Sequence, residues 1–426
     1  MLRPILLFIH VALVLPAGCS EESPTARETP DAIVHHLGDG AAALPDGPLA
    51  MADAAMVDAP IEPDPLPDAA QDPDLAVAVD ATAAAPDAAP GDVGAVAGKC
   101  HLKGDLYLNP FNKESAHHRP IGSGAQYAAA SHPATKDWLK ASTLGINVGA
   151  PWGVSMAQTV ASDPFMTIAA FAKCDGVSQV PVTIRMPKAG FVTKVVYNAN
   201  GCTDGVVVVH DKPTGKPHQL RQYDWNNGKP RAGQYRTWPI KGLGHGVKPG
   251  DRIGTSASGV AAMFGLLRGE EINVAGRPVQ HALQMVLPRT NPSTCNVMIG
   301  KTFKLPAVSM DGGWAGTNVN TGNIPYGALM ALPPAVSIAG LGLSEPGKRL
   351  AQALRDYGIY LVDGGGCQNG AIRADQHVNA ATLKLLKQDI PKLYKKMRMV
   401  LNNDVLTSPV SGGGTPLAPN CAFDAP

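Results

Sequence analysis

The sequence predicts a mainly β domain, sandwich or jelly-roll-like, followed by C-terminal α-helices and preceded by a disordered N-terminal linker. Three observations carry this reading. Short β-branched or alternating runs, separated by Gly and Pro, recur between residues 180 and 288, as in sandwiches and barrels. The best helical periodicity sits late, at Ser344 to Tyr360 and Ala380 to Leu401. Residues 20–98 are mostly Ala, Asp and Pro with almost no aromatics, a composition that cannot bury a core.

Residues 1–19 come first. Arg3 gives a positive start and Ile5 to Leu15 an apolar run, too short for a span of about 20 apolar residues. The run ends at Pro16-Ala17-Gly18-Cys19. This resembles a bacterial lipoprotein signal, in which Cys19 is lipidated, although Pro16 replaces the usual aliphatic residue. Residues 20–98 then form a tether, extended by its prolines and like charges.

The net charge of +1 averages two opposed parts. Between Glu21 and Asp92 stand 16 acidic residues and one basic residue, Arg27; with Arg3 also set aside, the remainder holds 34 Lys and Arg against 19 Asp and Glu. The domain at 99–426 is therefore about +15. Such a domain outside the cell attracts polyanions. We expect an anionic polysaccharide partner, membrane attachment through the lipid anchor only, and no nucleic acid.

Besides Cys19 there are six cysteines: Cys100, Cys174, Cys202, Cys295, Cys367 and Cys421. An even number in an exported domain reads as up to three disulfides, and six cysteines allow 15 connectivities. Cys100 and Cys421 bracket the domain, so a bridge between them would staple its ends. No CxxC pair exists, and we expect no metal.

Within the domain, residues 99–124 are rich in Gly, Pro and Asn and read as ordered loop. A short helix is expected near Lys136 to Ala141. Strands follow at Val180 to Met186, Phe191 to Asn198 and Gly205 to Asp211, the last a continuous valine run suited to burial on both faces. A turn at Lys212 to Lys216 leads to a hairpin partner over Gln219 to Trp225, and Gln234 to Ile240 returns. Phe264 to Asn273 reads as a short helix and Gln280 to Leu287 as a strand. Ser344 can cap the next helix, with Glu345 and Pro346 in its first turn. In the last helix Pro391 is expected to break or restart the turn.

Several landmarks resemble an uncharacterised family of secreted bacterial β-rich proteins. They are Thr203-Asp204-Gly205 before an aliphatic strand, Gly254 to Ala257, Leu266 to Ile272, His281 to Leu283, Asp311-Gly312, Ile324 to Gly327, and Tyr357 to Asp363 closing a helix. The lipoprotein signal and Ala/Asp/Pro linker look like those of myxobacterial surface proteins. The resemblance covers about half the domain. It implies secretion and a β-rich fold, not a reaction.

Four chemistries are open to these residues. A polyuronate lyase needs a base, an acid and groups that neutralise the uronate carboxylate; His281, His117, His118, His210, Arg119, Tyr223, Tyr235, Arg221 and Gln284 are of those types. A glycoside hydrolase needs two carboxylates, for which Asp204 and Asp311 stand at strand ends while Glu270 and Glu271 read as solvated. Ser256, His281 and Asp311 occur in the order of a hydrolase triad, but without the Gly-x-Ser-x-Gly elbow. A non-catalytic glycan binder would use Trp225, Trp238 and Trp314 as a stacking platform, with Arg221 and Ser256 as polar contacts. No cofactor is expected; Asp311, Asn318, Asn320 and Asn323 offer oxygen ligands for calcium, though not at the spacing of a known loop. The leading expectation is action on extracellular acidic polysaccharide by elimination or hydrolysis, and the alternative is glycan binding without catalysis.

Overall fold

Four consecutive valines face two different cores in alternation. Val206 and Val208 belong to one apolar cluster, Val207 and Val209 to another. That is the two-sided burial expected of the run, and it orders the layers of the fold. The computed structural model describes residues 100–140, 144–149, 152–174, 178–188, 201–226, 228–288, 298–311, 320–365 and 370–424.

In chain order the elements are α1 (Pro133–Trp138), β1 (Leu144–Val148), β2 (Val154–Thr159), β3 (Phe165–Ala170), β4 (Val182–Arg185), β5 (Val206–Asp211), β6 (Lys216–Arg221), β7 (Asp224–Asn226), β8 (Lys229–Ala232) and β9 (Gln234–Thr237). Then come α2 (Gly269–Ile272), β10 (Leu283–Pro288), β11 (Ile299–Phe303), β12 (Ile324–Tyr326), β13 (Leu329–Ala331), α3 (Glu345–Asp356), β14 (Ile359–Gly365), β15 (Gly370–Ala374), α4 (Ala380–Tyr394) and β16 (Arg398–Met399). The fold is mainly β, with several sheets and its two long helices near the C-terminus.

A six-stranded mixed sheet runs β1-β15-β10-β14-β13-β16; two four-stranded sheets run β2-β5-β6-β9 and β4-β3-β8-β7; β11 pairs with β12. One face of the six-stranded sheet carries Leu283, Met285, Ile359, Leu361 and Ile372, and packs on Leu350 and Leu354 of α3 and on Leu386 and Ile390 of α4. Its other face presents Leu329, Tyr360 and Val362 to Val154, Met156, Val206 and Val208 of the second sheet. The far side of that sheet packs Val207, Val209 and Leu220 on Ile168, Ile184 and Ala232 of the third. The layers are therefore helix, sheet, sheet, sheet. Successive residues of β14 alternate between the first two cores, as the pleat requires. Pairing of β10 with β14 is parallel, which demands a long crossover; the chain between them includes α3.

The hairpin of β5 and β6 forms as expected, but Trp225 falls on the separate strand β7. The helix expected over 264–273 is a single turn, because residues 265–267 are tied to strands instead. Gln284 donates its N–H to the Gly265 carbonyl and Leu267 donates to that of Arg373. Ser344 caps α3 by accepting the Gly347 N–H, yet the helix stops at Asp356 and Tyr360 lies in β14. The last helix runs through Pro391 to Tyr394, where a break was expected. A mid-helix proline costs about 3 kcal/mol. Leu386, Ile390, Leu393 and Tyr394 are all buried on its sheet-facing side, at about 1.5–3 kcal/mol for each large apolar side chain, so packing outweighs the lost hydrogen bond.

Cys100 bridges Cys421 and Cys174 bridges Cys202, so the ends of the domain are stapled. Cys19, Cys295, Cys367, Trp314, Phe191 to Asn198 and the 20–98 linker lie outside the described residues. Among the described residues no helix is long and apolar enough to cross a membrane.

Candidate functional site

Arg221, Arg252 and Arg373, from three separate chain segments, act on one carboxylate, Asp363 near the end of β14, and Arg236 from a fourth neighbours Arg252. Arg221 ends β6, Arg236 lies on β9, Arg252 opens the 251–263 loop and Arg373 lies on β15. Register puts Gln219, Arg221 and Arg236 on one face of their sheet, since Gln219 pairs with Arg236 across β6 and β9. The loop is pinned over that face. Gln219 accepts from the Ala262 N–H at 3.0 Å and donates to Thr255 Oγ1. Its other side docks on β14, where the Ser258 N–H donates to the Val362 carbonyl.

Asp363 Oδ2 accepts from Arg373 Nη2 at 2.7 Å, and Oδ1 accepts from the N–H groups of Ala257 and Gly364. Burial alone would raise this carboxyl's pKa. Arg373 and Arg221, with those hydrogen bonds, outweigh it and hold the group ionised below its ordinary range. Arg252 donates to the Ser256 carbonyl at 2.8 Å. Its pKa is lowered, first by protein atoms crowding the guanidinium and next by the like charges of Arg236 and Arg221, while Asp311 and Asp363 oppose. Four positive groups thus face two negative ones, with Arg252 exposed and the other three arginines half-buried. The surplus charge and the forked guanidinium donors suit carboxylate or phosphate oxygens.

The expected site residues are distributed differently. His117, His118 and His281 do come together: His117 stacks on His281 with centroids 4.3 Å apart and meets His118 edge-on at 4.5 Å. All three are buried to 2% exposure or less. No ring edge is left for a polymer, so we assign them to the core. His281 Nε2 lies 3.1 Å from Glu271 Oε2, and Nδ1 is 2.8 Å from the Ala282 carbonyl. Burial opposes charge on His281, but Glu271 and these bonds prevail and its pKa is raised. Glu271, read as solvated from sequence, is thus the buried counter-charge of the cluster. Arg119 is a tie between loops, donating to the carbonyls of Asp404 and Glu114.

Asp204 is exposed in the turn before β5. Asp311 lies by Arg252 rather than in the histidine cluster. Ser256 Oγ donates to the Val260 carbonyl at 2.9 Å while His281 pairs with Glu271, so a Ser256-His281-Asp311 triad does not assemble. Tyr223 is buried in the third core, and burial raises its pKa. Trp238 is buried in the second core and Trp225 packs on the third. These two tryptophans therefore share no stacking platform. Of the oxygen set expected for calcium, Asn320 Nδ2 donates to the Asp311 carbonyl at 3.3 Å, Asn323 Nδ2 is instead drawn to Asp137 Oδ2 at 2.6 Å, and Asn318 lies outside the described residues.

Sequence reading missed Arg236, Arg252 and Arg373 as partners of Arg221. Asp363 was legible as the last residue of the Tyr357 to Asp363 landmark. Tyr235 was a sequence candidate, but its partner His218 went unread: His218 Nδ1 lies 2.9 Å from Tyr235 Oη. Burial lowers the His218 pKa to about 4, despite Asp211 nearby. Comparison with protein families, curated proteins and solved structures finds no match for this chain.

Proposed function

We propose that this chain is an exported surface lipoprotein whose domain binds anionic polysaccharide at the arginine group around Asp363. Cys19 carries the lipid and residues 20–98 are the tether. The observation that supports binding is the grouping of Arg221, Arg252 and Arg373 about one ionised carboxylate, with Arg236 beside Arg252 and charge to spare. A uronate carboxylate is the planar, bidentate partner that such donors favour. The domain's charge of about +15 adds long-range attraction.

Cleavage by β-elimination is the second reading, favoured by the contact of a neutral His218 with Tyr235, a base and an acid of suitable type. Register places His218 and Tyr235 on the opposite face of the sheet from Arg221 and Arg236, which is why binding leads.

The test is affinity electrophoresis of the purified chain in gels carrying alginate, polygalacturonate or neutral dextran, with ultraviolet absorbance followed for unsaturated uronates. Retardation by the acidic polymers alone, lost in an Arg221→Ala/Arg252→Ala variant, is expected. Equal mobility in all gels would refute binding, and rising absorbance would replace it with lyase activity.

A further inference from the structure

Glu270, Asp375 and His377 form a second cluster, remote in sequence from the arginines at 221–252 and built at the junction of α2 with the end of β15. The chain brings them together through backbone. Leu267 bridges Ala374, the Asp375 N–H donates to the Leu267 carbonyl, and Asn273 Nδ2 donates to the His377 carbonyl at 2.7 Å. One donor atom from each of the three side chains lies within 4.8 Å of the other two.

Asp375 is fixed before any ion arrives. Its Oδ1 accepts the N–H groups of Gly269 and His377, each at 3.0 Å, and Oδ2 accepts from Arg268 Nε at 2.7 Å. Arg268 is itself buried and held by the Tyr107 carbonyl at 2.7 Å. Such outer partners orient a metal-binding carboxylate. The Gln376 amide nitrogen lies 3.1 Å from His377 Nε2 and bounds the ring on its other side.

The spacing of the remaining donor atoms is informative. His377 Nδ1 is 3.2 Å from Glu270 Oε1 and 3.6 Å from Asp375 Oδ2. A charge-assisted N–H···O bond settles at about 2.7–2.9 Å. Ligands at about 2.0–2.1 Å from a tetrahedral ion stand about 3.3–3.4 Å apart. These separations are those of a loose ion pair and also fit the edges of a coordination shell, so an ion can enter with little movement of the donor atoms. Independently, Glu270 Oε2 is covered from solvent and has no hydrogen-bond partner. The carboxylate is half-buried and turns Oε1 to His377, so Oε2 is the oxygen left for a further partner.

We propose that Glu270, Asp375 and His377 bind one divalent transition-metal ion, with Zn2+ the best match. One imidazole and two carboxylates suit Zn2+, and Mn2+ binds the same N/O set more weakly. Arg268 offsets one of the two carboxylate charges, leaving the cluster anionic for a dication. Without an ion, Gln376 donates to His377 Nε2 at 3.1 Å, its amide held by the Met156 N–H and carbonyl, so the ring proton sits on Nδ1 toward the two carboxylates; an ion on Nδ1 displaces that proton, and the exposed ring turns Nε2 from Gln376 to water. Three protein ligands leave the fourth position to solvent.

The experiment is calorimetric titration of the EDTA-treated full chain with ZnCl2, MnCl2 and CaCl2, repeated on Glu270→Gln and His377→Ala. One Zn2+ equivalent is expected to disappear, or weaken by about 100-fold or more, in both variants, and Mn2+ is expected to bind more weakly than Zn2+. Absence of Zn2+ binding, or Zn2+ binding unchanged in both variants, would overturn the site. Ca2+ binding as tightly as Zn2+ would overturn the assignment to a transition metal. Co2+ loading of the unmutated chain gives a readout that does not depend on variant folding. Strong visible absorption is expected for four-coordinate Co2+, and only the weak spectrum of the hydrated ion would count against the proposal.

Discussion

His117 and His281 stack nearly parallel, 4.3 Å apart and 17° between planes, yet their pKa values are pushed in opposite directions. Burial, then the neighbouring cationic groups, push His117 well below the usual histidine range. It stays neutral and accepts the Gly265 N–H at Nδ1. His281 is the ring that favours the charged form, because Glu271 faces Nε2 and the Ala282 carbonyl faces Nδ1. One buried carboxylate thus fixes which ring favours charge.

Glu271→Gln removes that counter-charge and strands an imidazolium in the core. Breaking a buried pair from one side costs about 3–5 kcal/mol. Urea unfolding at neutral pH is expected to show a loss of that order. A loss under about 1 kcal/mol would mean that Glu271 is not the partner that keeps His281 charged.

Acid should destabilise the fold from about pH 6.5 downward. Burial holds His118 at about 3, and His218 and His245 at about 4, and it lowers His117 and His210 as well. The unfolded chain protonates its histidines near the ordinary value of about 6.5. Below that pH the unfolded state binds protons that the native state refuses, so stability falls with pH by up to about 1.4 kcal/mol per unit per histidine. His281 runs the other way: its raised pKa contributes stability that is complete below about 6.5 and lost as pH rises through its folded value. His377, raised first by its hydrogen bond to Asp375, and Asp356, pushed up to about 6 by burial, oppose the trend as well; five lowered groups outweigh these three raised ones. Melting curves from pH 7 to 4.5 will show a falling midpoint, and a flat profile would contradict the burial of these rings.

Gly358 separates α3 from β14 at φ +76°, and a Cβ there would lie 2.6 Å from Leu329 Cδ1 and 2.8 Å from the Met330 carbonyl oxygen. Gly342 is also left-handed, at φ +58°, but with open space around it. Gly342→Ala should cost only the conformational penalty of about 1–2 kcal/mol. Gly358→Ala adds overpacking of about 1–3 kcal/mol. Paired denaturant titrations test the difference, and equal losses would exclude the crowding.

The two disulfides close very different loops, with sequence separations of 321 and 28. Loop-closure entropy rises with the logarithm of length, so loss of the Cys100–Cys421 bridge should cost about 2 kcal/mol more than loss of Cys174–Cys202. Cys→Ala pairs compared by thermal unfolding will show it; the reverse order would mean that native contacts, not chain entropy, set the stabilisation from each bridge.

Local pattern carried much of the architecture. The valine run of β5, the Ser344 cap of α3 and the hairpin turn at 212–215 each follow from neighbours in sequence, because side-chain alternation and capping act over a few residues. Pattern failed where tertiary contacts overrode it. Residues 265–267 bond to strands and forgo a helix. Pro391 stays helical because the face around it is buried.

The candidate site was least legible. Arg221 was singled out, but nothing in its surroundings names Arg236, Arg252, Arg373 or Asp363 as its companions. The sequence alone determined composition, charge division, strand periodicity and an even set of domain cysteines, since these are properties of single residues and short windows. Which cysteines pair, which histidine is charged and which arginines converge were decided by the stacking of three sheets. Stacking joins residues far apart in the chain, and desolvation there sets their charge.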